Sequence, residues 1–142
     1  MTRPMVLVAI ALLGCGIEPA ASQGTAWPDC APWDGAATRI VIPLDTGAGG
    51  ASRGQLTLAL YEAPEALRGA LWRITTENMN RLSVSLCQPV GDCVWASDGW
   101  VRVASGRQGS ELRGQYRVTL ANGSVLTGRF SAPLQARVQM CG

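Results

Sequence analysis

Hydrophobic and polar residues alternate with a period of two along most of the chain after Trp27. The alternation is clearest in residues 55–61, in which Leu56, Leu58 and Leu60 are separated by polar or small side chains. This period indicates β-strands with one buried face, because a helix would repeat every three to four residues. The same pattern predicts strands at residues 39–44, 55–61, 70–75, 82–87, 100–104, 112–120, 124–132 and 134–140.

Turn-forming residues separate these predicted strands. Pro64 and Gly69 bracket residues 61–68 so closely that we expect a loop there, although one helical turn would fit. Seven or eight short strands joined by such turns are typical of an all-β fold, a small antiparallel β-sandwich or barrel. A chain of 142 residues can build one hydrophobic core of this kind. We therefore expect a single β domain over residues 27–142.

The last predicted hairpin also indicates its own register. A three-residue loop at 121–123, with its final glycine in the left-handed conformation, would place Tyr116 opposite Gly128. It would also place Phe130 opposite Gly114. Each aromatic ring would then cover a cross-strand glycine, a pairing that fixes register. A two-residue turn would lose both pairings, so we predict the longer loop.

The N-terminus has the pattern of an export signal. Residues 1–14 contain one basic residue, Arg3, before an apolar run at 5–13 that is too short to cross a bilayer. The run ends in Leu12-Leu13-Gly14-Cys15, and this sequence resembles the lipobox of bacterial lipoproteins. The resemblance implies that residues 1–14 are removed as a signal peptide. It also implies that the thiol of Cys15 is joined to diacylglycerol and that its amine is acylated.

Residues 15–26 would then be the lipidated cysteine and a flexible tether to the domain. Several acyl chains anchor a protein stably where one alone is marginal. Gly16 rather than Asp follows the cysteine, which by analogy with enteric lipoproteins implies the outer membrane. The domain would face the periplasm or the cell surface. The alternative is an ordinary secretory signal cut near residues 20–22.

The number of cysteines supports lipidation. Five is an odd number for an exported protein, but setting Cys15 aside leaves four that an oxidising compartment would pair. Three connectivities are possible. We favour Cys87 with Cys93, which are close in sequence, and Cys30 with Cys141, which would join the two ends of the domain. A zinc site is the alternative, but the spacing has no CxxC pair, so we expect no metal or cofactor.

All twelve basic residues are arginine, and the chain has neither lysine nor histidine. This composition excludes a Ser-His-Asp triad, His-ligated metals, Schiff-base lysines and P-loops. Carboxylates, hydroxyls and thiols remain for catalysis. The formal net charge is +2, and the arginines are spread singly from Arg39 to Arg137. We therefore expect no basic patch and no nucleic-acid partner.

One motif is compatible with catalysis by carboxylates alone. Asp45-Thr46-Gly47-Ala48 follows a hydrophobic strand and resembles the Asp-Thr-Gly-Ala signature of retroviral-type aspartic proteases. The resemblance implies a dimer in which two Asp45 carboxylates share a proton around a water. The chain departs from that family at the Gly-Gly-Ala-Ser of residues 49–52 and at Leu126-Thr127-Gly128, where the family has two apolar residues before glycine. The alternative is a strand end at which Asp45 caps a turn.

Other motifs are less specific. The glycine-rich residues 47–54 have no lysine and no following helix, so they predict an inter-strand loop rather than a phosphate site. Glu62 with Glu65, or Asp92 with Asp98, would act as a glycosidase pair only at the right separation. Solvated surface carboxylates are the alternative interpretation.

Five of the eight aromatic residues are tryptophan. Trp72 and Trp100 lie in strand patterns, and we expect them in the core. Trp27, Trp33 and Trp95 lie near proline, glycine or cysteine in predicted loops. Exposed indoles there would stack on sugar rings or anchor a protein partner, whereas packing against a disulfide is the alternative.

Together these features predict a lipid-anchored envelope protein whose β domain binds a partner or has a structural role. Its expected partners are the membrane, through the lipid at Cys15, and an envelope protein, a foreign hydrolase or a glycan. Two alternatives stay open: an aspartic-type hydrolase that uses Asp45, and a glycan-binding module that uses the three loop tryptophans.

Overall fold

The computed structural model describes residues 20–45, 53–75, 77, 81–105, 111–138, 140 and 141. Nine strands and one short 3-10 helix make up the described part of the chain. The strands are β1 (Ser22–Gln23), β2 (Thr25–Cys30), β3 (Ala36–Asp45), β4 (Arg53–Leu60), β5 (Leu71–Ile74), β6 (Leu82–Cys87), β7 (Cys93–Ser105), β8 (Glu111–Leu120) and β9 (Val125–Pro133). The 3-10 helix, Pro64–Leu67, lies between β4 and β5.

The strands form one nearly closed, barrel-like sheet, which confirms the predicted all-β fold. Their order is β1-β9-β8-β7-β6-β4-β3-β2, and β5 is added beside β7. The segment that contains β1 and β2 closes the sheet, because β1 pairs with β9 and β2 pairs with β3. At this seam the N–H of Gly24 donates to the carbonyl of Ser131 at 2.8 Å, and the N–H of Gln135 donates to the carbonyl of Ala26 at 2.8 Å.

The seam is parallel, although the other strand pairs are antiparallel. The reason is the number of strands around the sheet. With β1 and β2 taken as one continuous segment, seven strands alternate in direction. An odd number brings the first and last strands together pointing the same way, so a parallel pair is the only one that can form. Closure covers two edges whose backbone groups would otherwise stay unpaired.

A β-bulge in β7 divides the sheet into two halves. The register between β7 and β8 shifts between Ala96 and Asp98, so Ser97 is the extra residue. β7 pairs with β6 only before the bulge and with β5 only after it, while nearly all of its pairing with β8 also follows the bulge. We call β2, β3, β4, β6 and the start of β7 the first half, and the rest of β7 with β5, β8, β9 and β1 the second half.

The inward faces of both halves share one core. Leu56, Leu58 and Leu60 are fully buried, as their alternation predicts. The second half contributes the aromatic residues Trp72, Tyr116 and Phe130 to the core, and the last two are almost completely buried. Burial raises the pKa of the Tyr116 phenol above its usual value. Further fully buried residues are Ile40, Ile42, Leu67, Leu82, Val84, Val101, Val103 and Val118.

The β8–β9 hairpin has the predicted register. Tyr116 pairs with Gly128, Gly114 pairs with Phe130, and Gly123 has a φ of +86°. A Cβ built on Gly128 would lie 2.5 Å from the Tyr116 hydroxyl oxygen, and one on Gly114 would lie 2.5 Å from Cζ of Phe130. Both rings therefore need glycine beneath them.

Both favoured disulfides are present. Cys30–Cys141, with an S–S distance of 2.01 Å, joins the end of β2 to the C-terminal segment. Cys87–Cys93, at 1.98 Å, joins directly opposed residues of β6 and β7. Both bonds involve the first half of the sheet.

Four elements differ from the sequence prediction. β1 and β2 lie at residues 22–30, where no strand is predicted, and they begin inside the segment expected to be tether, because the seam needs them. β7 begins at Cys93, seven residues before the predicted strand. The 3-10 helix occupies part of the predicted loop at 61–68.

The strand predicted at 134–140 is wrong. Only Leu134 forms a bridge, with Ala26, and the described residues after it belong to no strand. Val138 and Met140 are 96% and 91% exposed. The β1–β2 segment already pairs with the edge of β9, so the segment that follows β9 cannot pair there.

No helix in the described ranges is both long and apolar enough to cross a membrane.

Candidate functional site

The outer surface of the first half carries a groove. Its lining comes from the strand positions that alternate with the core. Thr57 of β4 pairs with Ser85 of β6, which pairs with Trp95 of β7. One step along the strands, Arg39 of β3 pairs with Ala59 of β4. The groove has a volume of about 210 Å³, and its main lining residues are Asp29, Arg39, Thr57, Tyr61, Ser85 and Trp95.

Small side chains form the floor of the groove, and this is why the surface is concave. Ala37, Thr57, Ala59, Ser83 and Ser85 lie on neighbouring strands and none reaches far above the backbone. Larger side chains stand at the rim. The floor therefore offers hydroxyl groups beside methyl groups, a mixed polar and apolar surface.

An aromatic pair stands at one end of the groove. The rings of Trp33 and Tyr61 meet edge to face, with centroids 5.0 Å apart. The Tyr61 hydroxyl shares a hydrogen bond with Ser83 Oγ at 2.9 Å. Trp33 belongs to the turn before β3, where Asp34 adopts a φ of 63° that aspartate tolerates. A Cβ on Gly35 would lie 2.8 Å from Trp33 Nε1, so glycine makes room for the indole.

Trp95 borders the other side of the groove. Its side chain is 57% exposed, and that of Trp33 is 54% exposed. Two large indoles are therefore available to solvent on the same face of the molecule. Exposed aromatic groups of this size are typical of surfaces that bind a ligand or partner.

An ion pair completes the rim. Arg39 Nε donates to Asp29 Oδ2 at 2.5 Å, and the backbone N–H of Cys30 donates to Asp29 Oδ1 at 2.9 Å. Partial burial acts to raise the pKa of Asp29. The hydrogen bonds from Arg39 and Cys30 and the charges of Arg39 and Arg137 outweigh it and lower that pKa below its usual value. Asp29 thus stays ionised and the pair is close to neutral overall.

This arrangement suits recognition of a small neutral group. Its volume is below the roughly 300–1,000 Å³ typical of small-molecule pockets, so it has room for one sugar ring or one side chain. Convergent hydroxyl groups and one charge pair provide hydrogen bonds, and the indoles provide flat apolar faces. Tyr61, Arg39 and the hydroxyl floor are absent from the sequence predictions. The small and polar residues that alternate with the core residues of β4 and β6 are visible in the sequence. The pairing of β4 with β6 is what brings them together into one floor.

The outer surface of the second half is cationic, which corrects the expectation of no basic patch. Arg73 of β5 pairs with Trp100 of β7, which pairs with Arg117 of β8. In the next row Arg102 pairs with Gln115, and Gln115 pairs with Arg129. Arginines that are single in sequence become neighbours because each occupies an outward position of its strand. We call this surface the arginine face: Arg73, Arg102, Arg113, Arg117 and Arg129 with Trp100.

The tryptophans are distributed differently from the prediction. Trp72 is buried as expected. Trp100 is half-buried on the arginine face, so its predicted core position is wrong. Trp95 lies in β7 and Trp27 in β2 rather than in loops. The Trp27 ring is half-buried beneath the guanidinium of Arg137, whose Cζ is 4.5 Å from its centroid, so it is less accessible than the other two.

Two predicted sites are largely outside the described residues. Cys15 and the lipobox lie before residue 20. Asp45 ends β3, where its backbone pairs with Arg53, but its side chain and Thr46-Gly47-Ala48 are outside the described part. Most of the glycine-rich loop at 47–54 shares that position.

Two of the four carboxylates considered as glycosidase pairs have local partners. Glu62 forms an ion pair with Arg81 at 3.8 Å. Asp98 Oδ1 accepts a hydrogen bond from the N–H of Gly99 at 2.7 Å. Glu65 and Asp92 are exposed. Within the ranges that the structure covers, no cluster of three or more cysteine, aspartate or glutamate side chains could hold a metal ion.

Comparison with known proteins adds no relative: no protein-family model, no curated protein and no solved structure matches this chain. The geometry of the two outer surfaces is therefore the basis for assigning a function.

Proposed function

We propose that the protein is an exported, lipid-anchored binding module and that its groove binds a glycan. The observation that carries the ligand class is the hydroxyl-lined floor between the exposed indole of Trp95 and the Trp33–Tyr61 pair. Flat aromatic rings pack against the C–H faces of sugars, while hydroxyl and charged groups exchange hydrogen bonds with sugar hydroxyls.

The charge of the groove favours an uncharged ligand. Asp29 neutralises Arg39, so neither offers a net charge to a ligand. The volume holds one ring, and the exposed rim leaves room for the rest of a chain to extend along the surface. A neutral sugar unit within a longer glycan meets both conditions.

Binding without catalysis is the simpler use of this groove. Glycoside hydrolysis normally needs two carboxyl groups on either side of the scissile bond. Among the described lining residues Asp29 is the one carboxylate, and Arg39 already occupies it. This composition supports a recognition role.

The export and anchoring part of the proposal rests on the N-terminal sequence. Leu12-Leu13-Gly14-Cys15 resembles a lipobox, and the four other cysteines form two disulfides, which are typical of exported proteins. Replacement of Cys15 by Ser should abolish incorporation of radiolabelled lipid and release the protein from membranes. Labelling that persists in this variant would refute the anchor.

The ligand is tested with a chain that begins at Cys15 and carries Cys15→Ser. A panel of soluble oligosaccharides, including fragments of bacterial cell wall, is titrated against it while tryptophan emission is recorded. We expect a blue shift with at least one member of the panel, because a sugar would displace water from Trp95. Trp95→Ala should remove the shift.

Trp100→Ala is the matched control. Trp100 lies on the same strand but on the outer surface of the other half of the sheet. It should lose part of the total emission and keep the ligand-induced shift. Emission that stays unchanged across the panel, or a shift that survives Trp95→Ala, would count against the glycan groove.

A further inference from the structure

The arginine face carries more positive charge than its surroundings neutralise. Two carboxylates, Asp98 and Glu111, occupy outward positions on the same strands. Glu111 is committed to Arg113, at 2.9 Å from Nη2, and to a hydrogen bond from Ser131. In the described part of the chain no ion pair reaches Arg73, Arg102 or Arg117.

The face is broad and has an apolar centre. From β1 to β5 it spans four strand spacings, about 20 Å. Trp100 lies between Arg73 and Arg117 in one row, and Leu71, which is 42% exposed, pairs with Arg102 in the next. Trp100 and Leu71 line a shallow depression of about 330 Å³ together with Arg73, Arg102 and Gln115. An apolar strip between cations matches a membrane interface, where indoles sit at the level of the lipid headgroups.

The N-terminal chain leaves the domain at the edge of this face. Ala21 and Gln23 line a second depression, of about 420 Å³, with Arg113 and Arg129. Gln115 borders both depressions, so they are adjacent. Cys15 precedes Ala20 by five residues, and five extended residues reach at most about 18 Å. A lipid on Cys15 would thus enter its membrane close to the arginine face.

We propose that the arginine face docks on the anionic phosphate headgroups of the membrane that holds the lipid of Cys15. For its geometry this inference rests on the proposed anchor. Guanidinium groups match phosphate oxygens through paired hydrogen bonds, and a tethered face meets the headgroups at high effective concentration. The anchored domain then lies with its second half on the bilayer and its groove turned away.

The test measures cosedimentation with lipid vesicles. The chain begins at Cys15 and carries Cys15→Ser, so it has no acyl group. The strands that the structure describes and both disulfides lie between Ser22 and Cys141, so this chain keeps the described sheet. We expect binding to vesicles with equal parts of phosphatidylglycerol and phosphatidylcholine, and none to pure phosphatidylcholine. Raising the salt to 1 M should release the protein, because the Debye length falls to about 3 Å.

Paired variants locate the contact. Arg73→Gln/Arg117→Gln should weaken vesicle binding about thirtyfold, from the usual contribution of each arginine at an anionic surface. Arg81→Gln/Arg137→Gln removes the same charge outside the arginine face and should change binding less than about threefold. Binding should also shift tryptophan emission to the blue, and Trp100→Phe should remove that shift. Thermal unfolding of each variant confirms that the sheet is intact.

Three results would overturn the docking proposal: equal binding to neutral vesicles, equal loss in the two double variants, or no vesicle binding at all. Retention on a sulfated polysaccharide or on single-stranded DNA without vesicle binding would assign the face to that polymer instead. Because the assay uses an unlipidated chain, failure of lipid labelling at Cys15 would remove the anchor but leave the vesicle result standing.

Discussion

The two halves of the sheet share one core but fix their strands by different means. In the first half the interior is aliphatic, and two disulfides add covalent links. Cys30–Cys141 joins the end of β2 to the C-terminal segment, and Cys87–Cys93 joins β6 to β7. In the second half, aromatic rings lie over the glycines Gly114 and Gly128. A covalent cross-link therefore fixes the β6–β7 register in the first half, whereas steric fit fixes the β8–β9 register in the second.

The outer faces of the halves differ as well. The first half presents small side chains and a neutral ion pair, which produce a groove. The second half presents long cationic side chains around Trp100, which produce a broad cationic surface. The same strand alternation thus supports recognition of a small neutral group on one side and of an extended anion on the other. Loss of a disulfide should affect the first half, and loss of a glycine the second.

The largest expected effect is removal of the long disulfide. Cys30→Ala/Cys141→Ala should lower the free energy of unfolding by about 4–5 kcal/mol, because the bond closes a loop of 111 residues in the unfolded chain. Urea unfolding of the variant and the oxidised wild type measures the difference. A loss no greater than that for the short disulfide would contradict this ranking.

The next largest expected effect is a steric clash introduced into the second half of the sheet. Gly128→Val should cost about 3 kcal/mol, because the new side chain would overlap the Tyr116 ring. Thr127→Val, at the adjacent outward position, is the control and should change stability by no more than about 0.5 kcal/mol. In a double-mutant cycle with Tyr116→Ala the two costs should not add, since the clash needs both residues. Simple additivity would argue against the steric account.

Removal of the short disulfide should have a smaller effect. Cys87→Ala/Cys93→Ala should lower the free energy of unfolding by about 2 kcal/mol, since this bond closes a loop of only six residues. The readout is again urea unfolding. The shift of Trp95 emission on ligand binding is a second readout, because Trp95 follows Cys93 by two residues in β7. An unchanged midpoint would show that the β6–β7 turn holds its register without the bond.

The smallest effect concerns pH and the groove. The pKa of Asp29 is lower in the folded protein than in the unfolded chain, so ionised Asp29 stabilises the fold. This contribution is fully present above the unfolded pKa of about 3.9 and is lost as the pH falls through the folded value. Between about pH 5 and pH 3, the free energy of unfolding should fall less in Asp29→Asn than in the wild type. The difference between the two falls should be under about 1 kcal/mol. Arg39→Gln should reproduce this effect, and a pH profile that neither variant changes would contradict it.

Features that depend only on residues close together in the chain can be predicted from the sequence. The Asn122-Gly123 loop and the Tyr116–Gly128 pairing are local to one hairpin, so steric fit alone selects their register. Cys87 and Cys93 flank one turn, and the long disulfide then follows from the two cysteines left over.

Features that depend on the order of strands in the sheet cannot be predicted from local sequence. The bulge at Ser97 shifts the alternation by one, so Trp95 and Trp100, an odd number apart, both face outward. Trp100 and Arg102 share the outward face because Val101 and Val103, which alternate with them, are buried. This local alternation argues against the predicted core position of Trp100. The pattern at 134–140 has strand character, yet the edge that it needs is occupied by β1 and β2.

Alternation, turn chemistry and loop length act over short distances, so the sequence predicts the all-β class and the last hairpin and favours the observed disulfide pairs. Which polar strand faces become neighbours depends instead on the order of the strands in the sheet. The strand order β8-β7-β6-β4, with β5 beside β7, puts Thr57, Ser85 and Trp95 in one row of the groove and Arg73, Trp100 and Arg117 in one row of the arginine face. The sequence of a strand specifies which of its side chains point outward. The order of the strands specifies which outward side chains of other strands lie next to them.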